Sequence, residues 1–187
     1  MNTITNAQRL WFYRGLTLLV TAILVHLLAV WAAPRAIMWV LMHGRVAQTM
    51  NMVNQAAFPP PVTAQSRSIV LPSPDMLYSV CVFDLRNGPV RISANPRLPG
   101  YWSIALYAAN SDNFFVVNDR TAGNRPVDLW LVAPQGNGNG ANVPAGSQVV
   151  VAPSSTGFLL MRVLTGDYES ERSVVEPARR SLSCTPG

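Results

Sequence analysis

The sequence contains no lysine, no acid in its first 74 residues and no histidine after residue 43. Two of these absences narrow what the chain can do. With both histidines, His26 and His43, held in the N-terminal part, a Ser-His-Asp triad or a histidine-ligated metal within the C-terminal part is excluded. The lack of lysine reads as base composition and excludes nothing by itself. The missing acids say more. Residues 1–74 carry Arg9, Arg14, Arg35, Arg45 and Arg67 against no acid, and residues 75–187 carry nine arginines against nine acids. The formal net charge of +5 therefore lies wholly in the first part. A balanced C-terminal domain does not offer the basic face that nucleic acid requires, so no nucleic-acid partner is expected. Phosphate loops are missing too. Gly136-Asn137-Gly138-Asn139-Gly140 is not followed by Lys-Ser/Thr and reads as a flexible loop.

Charged residues make up 12% of the chain and hydrophobic ones 49%, a high ratio for a simple soluble protein. Much of the excess sits in "RGLTLLVTAILVHLLAVWAAPR", where Gly15 to Ala33 are uncharged. About 20 apolar residues at 1.5 Å each span a hydrocarbon core of roughly 30 Å. Two readings stay open, a retained anchor and a cleaved signal peptide with Val30 and Ala32 as its small residues. The length of the run and the apolar "AIMWVLM" that follows favour the anchor. Arg9 and Arg14 before the span put the N-terminus inside and export the bulk of the chain. His26, in mid-span, reads as a hydrogen-bonded contact residue or as a proton or ligand site.

Proline at 34 suggests a cut there, with a second, amphipathic helix from Pro34 to about Asn54 carrying Ile37, Leu41, Val46, Met50 and Val53 on one face. Met38, Met42, Met50 and Met52 could form a soft-metal surface, but packing against lipid or the domain explains them more simply. "FPPPVTAQSRS" then reads as a stiff linker, since three prolines forbid helix. The expected organisation is a tip and transmembrane helix over 1–33, an amphipathic helix and linker over 34–67, and a β-domain over 68–187.

From Ser68 the pattern has period two. "LYSVCVFDL", "VRIS", "YWSIALY", "FFVVN", "LWLVAP", "QVVVAP" and "GFLLMRVL" are short, β-branched or aromatic, and separated by Gly, Pro and Asn turns. They predict an all-β fold, an antiparallel β-sandwich of 7–8 strands. "DYESERSVVEPARRSLSC" predicts a short C-terminal helix with Asp167 as N-cap, Val174, Val175, Ala178 and Leu182 docked, and a bend at Pro177. Cys81 and Cys184 are an even pair in an exported domain. They read as a disulfide pinning that helix to the sheet, or else as two free thiols. Two cysteines without histidine make a poor zinc site, and no metal or cofactor is expected.

Asp75, Asp84, Asp112, Asp119 and Asp128 lie near strand ends. They are turn-formers unless two of them converge as catalytic or calcium-binding carboxylates. No catalytic constellation emerges, so the chain is read as a binding protein and not as an enzyme. Arg162 interrupts an apolar strand and must snorkel, pair with an acid such as Asp84 or meet a ligand; Arg120 poses a similar choice. In "YWSIALYAANSDNFFVVNDR", Trp102, Ile104 and Leu106 share one face and Tyr101, Ser103, Ala105 and Tyr107 the other. The binding candidates are Tyr78, Tyr101, Tyr107, Asn113, Arg120 and Arg162, with Tyr78, Trp102, Tyr107, Asn113 and Arg120 as a possible aromatic–polar patch for a small molecule or glycan.

"YSVCVFDLRNGPVRIS", "GYWSIALYAANSDNFFVVNDRTAG", "DLWLVAP" and "VVVAPSSTGFLLMRVL" together resemble the domain of unknown function 1254 family, in its short membrane-anchored proteobacterial form. The resemblance covers roughly residues 68–184. Longer members carry an asparagine-aspartate-threonine-leucine-tyrosine motif; here Asp75, Leu77 and Tyr78 match, while Pro74 and Met76 depart from it. The resemblance implies a β-sandwich and a sister membrane protein of the domain of unknown function 1214 type, fused in long members and separate beside short ones. It supplies no catalytic residues. The resulting expectation is a single-pass protein of the bacterial inner membrane, N-terminus cytoplasmic and domain periplasmic. Its partners would be the lipid bilayer and that sister protein in the cell envelope. The alternatives are a small-molecule or glycan-binding domain and an enzyme completed by its partner.

Overall fold

The computed structural model describes residues 5–63, 65–66, 72–123, 125–134 and 143–187, in two compact units, Met1–Ile37 and Met38–Gly187. The glycine-rich run from 136 to 140 and the predicted domain start at Ser68 lie outside the described residues.

The first unit is the greater part of one helix, α1 (Asn6–His43). Thr5 and Gln8 start it as a reciprocal box. Thr5 N–H donates to Gln8 Oε1 at 2.9 Å and Gln8 N–H to Thr5 Oγ1 at 3.4 Å, which satisfies two otherwise orphaned donors. Leu18, Leu19, Val25, Leu27, Leu28 and Val30 are 59–73% exposed. Consecutive residues point about 100° apart, so the helix is apolar all round. It is long and apolar enough to cross a membrane. The helix also runs through Pro34, where the sequence suggested a cut. Proline removes one backbone bond to the carbonyl four residues back, and Arg35 Nη1 donates to the adjacent Trp31 carbonyl at 2.6 Å.

In the second unit, the last residues of α1 lead through Gly44 to α2 (Arg45–Thr49). Eight strands follow: β1 (Met76–Asp84), β2 (Val90–Ala94), β3 (Trp102–Ala108), β4 (Asn113–Asn118), β5 (Val127–Val132), β6 (Gln148–Val151), β7 (Thr156–Leu164) and β8 (Ser183–Pro186). Helix α3 (Asp119–Ala122) precedes β5, and α4 (Tyr168–Arg180) precedes β8. They build two four-stranded sheets, ordered β1-β7-β3-β4 and β6-β5-β2-β8. Phe83, Ile104, Leu106, Leu159 and Met161 of the first sheet share one core with Ile92, Leu129 and Leu131 of the second. All seven strand-like runs of the sequence are strands, and the Trp102/Ile104/Leu106 face is the inner one.

One pairing differs from the expected antiparallel pattern. β6 runs parallel to β5. Parallel neighbours need a connection of a dozen or more residues, and the chain between Val132 and Gln148 supplies it. Inside the core, Gly157 of β7 sits so close to the Phe83 ring and the Tyr107 carbonyl that a Cβ would collide with both.

The N-terminal segment of this unit is part of the fold. Met38, Met42, Ala47, Met52 and Ala57 bury themselves with Val80, Val82 and Phe158 in a second core on the outer face of the first sheet. This burial corrects the predicted amphipathic stripe. Ile37 is 63% and Val53 49% exposed, because the helix does not restart at Pro34 and its phase differs; the Val46 side chain lies outside the described residues. The methionines pack against the domain. Asn51 and Asn54, at φ 50° and 49°, turn the chain back along β1, and asparagine tolerates that left-handed region. Ala57 then exchanges backbone bonds with Val80 at 2.8 and 2.9 Å, and Asn54 N–H donates to Val82 O at 2.8 Å. The edge of β1 is thereby covered.

Cys81 and Cys184 form a disulfide across 103 residues. It joins β1 to β8, so it links the two sheets; the sequence had read Cys184 as part of the terminal helix. That helix, α4, ends at Arg180. As expected, Asp167 caps it, accepting from Glu169 N–H. Val175 and Ala178 are buried, while Val174 is 45% exposed, so the docked face is narrower than predicted. Pro177 is accommodated inside the helix.

Candidate functional site

The register of the first sheet sets three rows across its outer face. Val82, Phe158 and Tyr107 form one, and Val80, Leu160, Ala105 and Val116 the next. Most of these two rows pack in the second core with the methionines. The third row is polar: Tyr78, Arg162, Ser103 and Asn118 lie on neighbouring strands in direct register. Side chains so placed have Cβ atoms about 5 Å apart. Two atoms here lack partners. Ser103 is 1% exposed, and its Oγ, like Arg162 Nε, is buried without a hydrogen bond. Arg162 does not pair with Asp84. It faces Tyr78 across β1, and Asp84 is six residues further along that strand, about 20 Å away at 3.3 Å per residue. Asp84 instead binds Arg86, whose guanidinium holds its carboxyl below the usual range.

Tyr78 is held at both its hydroxyl and its carbonyl. Its hydroxyl accepts from Ser73 N–H at 2.9 Å, and its carbonyl accepts from Arg179 Nη1 at 3.1 Å. Arg179 itself is 2% exposed. It donates to Pro59 O at 2.7 Å and to Glu176 Oε1 at 3.0 Å, and its own carbonyl accepts from Ser79 Oγ at 3.0 Å. Burial alone would raise the Glu176 carboxyl. Hydrogen bonds from Arg179, Arg180 and Tyr168 outweigh that and bring it down to about 2. One ion-pair hub thus ties α4, the proline segment and β1 together beside the polar row. A shallow groove of about 900 Å³ runs over this junction, between Phe58, Pro60 and Pro61 and the Tyr168 and Arg172 side of α4.

The other predicted residues do not join this row. Tyr107 and Asn113 pair with each other, four residues along the strand from the level of Ser103. There Asn113 Nδ2 donates to Leu106 O at 3.2 Å and fixes the bulge. Tyr101 is half-exposed before β3 begins, and its carbonyl accepts from Leu164 N–H at 2.9 Å. Arg120 is exposed on α3. Trp102 is 3% exposed in the inner core, so the five-residue aromatic–polar patch does not assemble. The carboxylates stay apart as well. Asp112 shapes the β3–β4 turn with Asn110, and Asp128 pairs with Arg91 at the surface. Among the described residues no group of three or more His, Cys, Asp or Glu converges.

The sequence did not single out Arg179, Glu176 or Asn54. Arginines in a last helical turn ordinarily answer the helix dipole, and nothing local marks one of two neighbours as buried. The half-buried Tyr78, Arg162 and Asn118 of the polar row, with the groove beside them, suit recognition of a polar or anionic surface. They do not provide a nucleophile with a base.

A family described as "Protein of unknown function (DUF1254)" matches residues 51–186, and the chain belongs to that family. No curated protein matches the sequence. The crystal structure of the VPA0106 protein from Vibrio parahaemolyticus is similar, with a TM-score of 0.63 at 16% identity over 84% of this chain and 36% of that one. An uncharacterised protein from Burkholderia cenocepacia is similar at a TM-score of 0.47 and 16% identity, over 75% of this chain and 36% of that one. The chain therefore spans about a third of the length of these solved structures.

Proposed function

From its place in the DUF1254 family, we propose that this chain is a membrane-tethered extracytoplasmic interaction module. It pairs with a sister membrane protein of the domain of unknown function 1214 type. α1 carries the reading. It is apolar all round, and Trp11, Tyr13 and Arg14 at one end and Trp31 and Arg35 at the other flank the apolar run. Trp11 and Trp31 are 20 residues apart, about 30 Å along a helix, which is the spacing of two membrane interfaces. Arg14 stacks on Trp11 and Arg35 on Trp31. The unbroken helix through Val30, Ala32 and Pro34 supports retention of the span over cleavage. The disulfide supports an oxidising compartment for the domain.

Three features support a partner. β4 and β6 are sheet edges with Val116 50%, Val149 49% and Val151 56% exposed, and exposed edges are ready pairing templates. The polar row offers Arg162, whose guanidinium has no acceptor among the described residues. The similar Vibrio protein carries this fold within a chain more than twice as long, as a fused two-part arrangement would require. Isolation of the tagged chain from its native membrane in mild detergent, with mass spectrometry, tests the pairing. Co-isolation of the sister protein in comparable amount is the expected result; recovery of the chain alone would contradict it.

A further inference from the structure

A second cleft, of about 650 Å³, opens where the loop from 95 to 100 meets α3. Arg97, Leu98, Trp102, Asp119 and Arg125 line it. Its volume lies within the range of small-molecule sites. Asp119 is the informative residue. Its Oδ1 is buried with no hydrogen-bond donor, and no ion pair involves it among the described residues. The helix does not need it, because Asn118 and Thr121 already cap α3 reciprocally, each accepting from the other's backbone at 2.9 Å. A buried carboxylate oxygen without a donor is costly, and this one serves no fold contact.

The cleft also holds two cations without carboxylate partners among the described residues. Arg125 Nε reaches only the Ala122 carbonyl, at 3.4 Å, and Arg97 projects from an exposed loop position. The loop is stiff. Pro96 is buried, Arg97 and Leu98 N–H donate to Asn95 and Pro96 carbonyls at 2.9 Å each, and Asn95 N–H donates to Ser181 Oγ at 3.1 Å. Trp102 closes the floor at 3% exposure. Such a site is organised before any ligand arrives.

Two guanidinium groups and one carboxylate give the cleft a net charge of +1, which a ligand of charge −1 complements. Arginine forks match a carboxylate. Asp119 accepts from hydroxyls, and Leu98 and Trp102 offer apolar surface to a ring. We propose that the cleft binds a carboxylated sugar, with its carboxylate at Arg97 and Arg125 and a hydroxyl donated to Asp119. A zwitterion or a neutral sugar would leave the net positive charge of the cleft unanswered.

The test uses the full chain in nanodiscs of uncharged phosphatidylcholine, titrated with glucuronate, glucose, glucosamine and acetate by calorimetry. Saturable glucuronate binding is expected, with the other three weaker by about tenfold or more. Arg97→Gln should weaken glucuronate by about tenfold, the worth of one charged contact. Asp119→Asn should erase the preference for glucuronate over acetate while leaving the thermal midpoint equal or higher, since the carboxylate makes no ion pair among the described residues. No saturable glucuronate binding up to about 10 mM would overturn the proposal. So would acetate matching glucuronate, or glucuronate binding unchanged in a folded Asp119→Asn protein.

Discussion

Replacing Cys81 and Cys184 by alanine removes the covalent link between the two sheets. The bond closes a loop of 103 residues. In the chain-entropy treatment a loop of that length restricts the unfolded chain by about 4.7 kcal/mol. Both sulfurs are buried, Cys81 at 0% and Cys184 at 2% exposure, so the lost packing adds about 1 kcal/mol. The second unit, Met38–Gly187, unfolds with an entropy of about 0.3 kcal/mol per kelvin at its size. The double variant should therefore melt about 19 °C below the native chain. The assay is thermal unfolding of the full chain in detergent, followed by tryptophan fluorescence, because Trp102 sits in the sandwich core. Cys81→Ala and Cys184→Ala alone should each fall nearly as far, since either one abolishes the bond. A double variant within about 3 °C of the native chain would refute the reasoning, because the β8 pairing would then hold the sheets together without the bridge.

Three more expectations follow from particular contacts. Gly157→Ala places a methyl group against the Phe83 ring and the Tyr107 carbonyl; backbone cannot yield cheaply, so a loss of about 3 kcal/mol is expected in urea unfolding. Glu176 has a carboxyl lowered to about 2 from an ordinary 4.5. Its contribution is complete above about pH 4.5 and is lost as pH falls through about 2. Glu176→Gln should thus cost about 2–4 kcal/mol at pH 7, because Arg179 stays buried without its counter-charge, and the difference should vanish near pH 2 on urea titration. A fragment beginning at residue 72 lacks Met38, Met42, Met52 and Ala57 over Val80, Val82 and Phe158. It should aggregate on size exclusion through the bared β1 edge, while a fragment beginning at residue 38 stays monodisperse.

Much of the sandwich was legible because period-two alternation survives wherever a strand has one buried face. Trp102, Ile104 and Leu106 point inward as the pattern required, and the even cysteine count anticipated the bridge. β8 escaped notice for a physical reason. Ser183–Pro186 is four residues with a proline and little apolar content, and it is a strand because Ile92 and its neighbours pair with it. The wrap of residues 38–57 was hidden for another. Its methionines follow no strand period and no unbroken helical one, since the break at Gly44 and the turn at Asn51 interrupt them. The candidate residues divided along the same line. Tyr78 and Arg162 came together because one register pairs them, whereas Tyr107 and Asn113 were separated from them by rows that only the sheet order defines. Nor could local sequence distinguish buried Arg179 from exposed Arg180.

The mass and topology of the mature chain test most directly the proposal that one helix holds an exported domain at the membrane. Membranes washed at alkaline pH should retain a species of the full 20.4 kDa. Protease added to spheroplasts should digest its C-terminal domain and spare the N-terminal helix. A shorter species released by the wash, with an N-terminus near residue 33, or a domain protected in intact spheroplasts, would contradict the account.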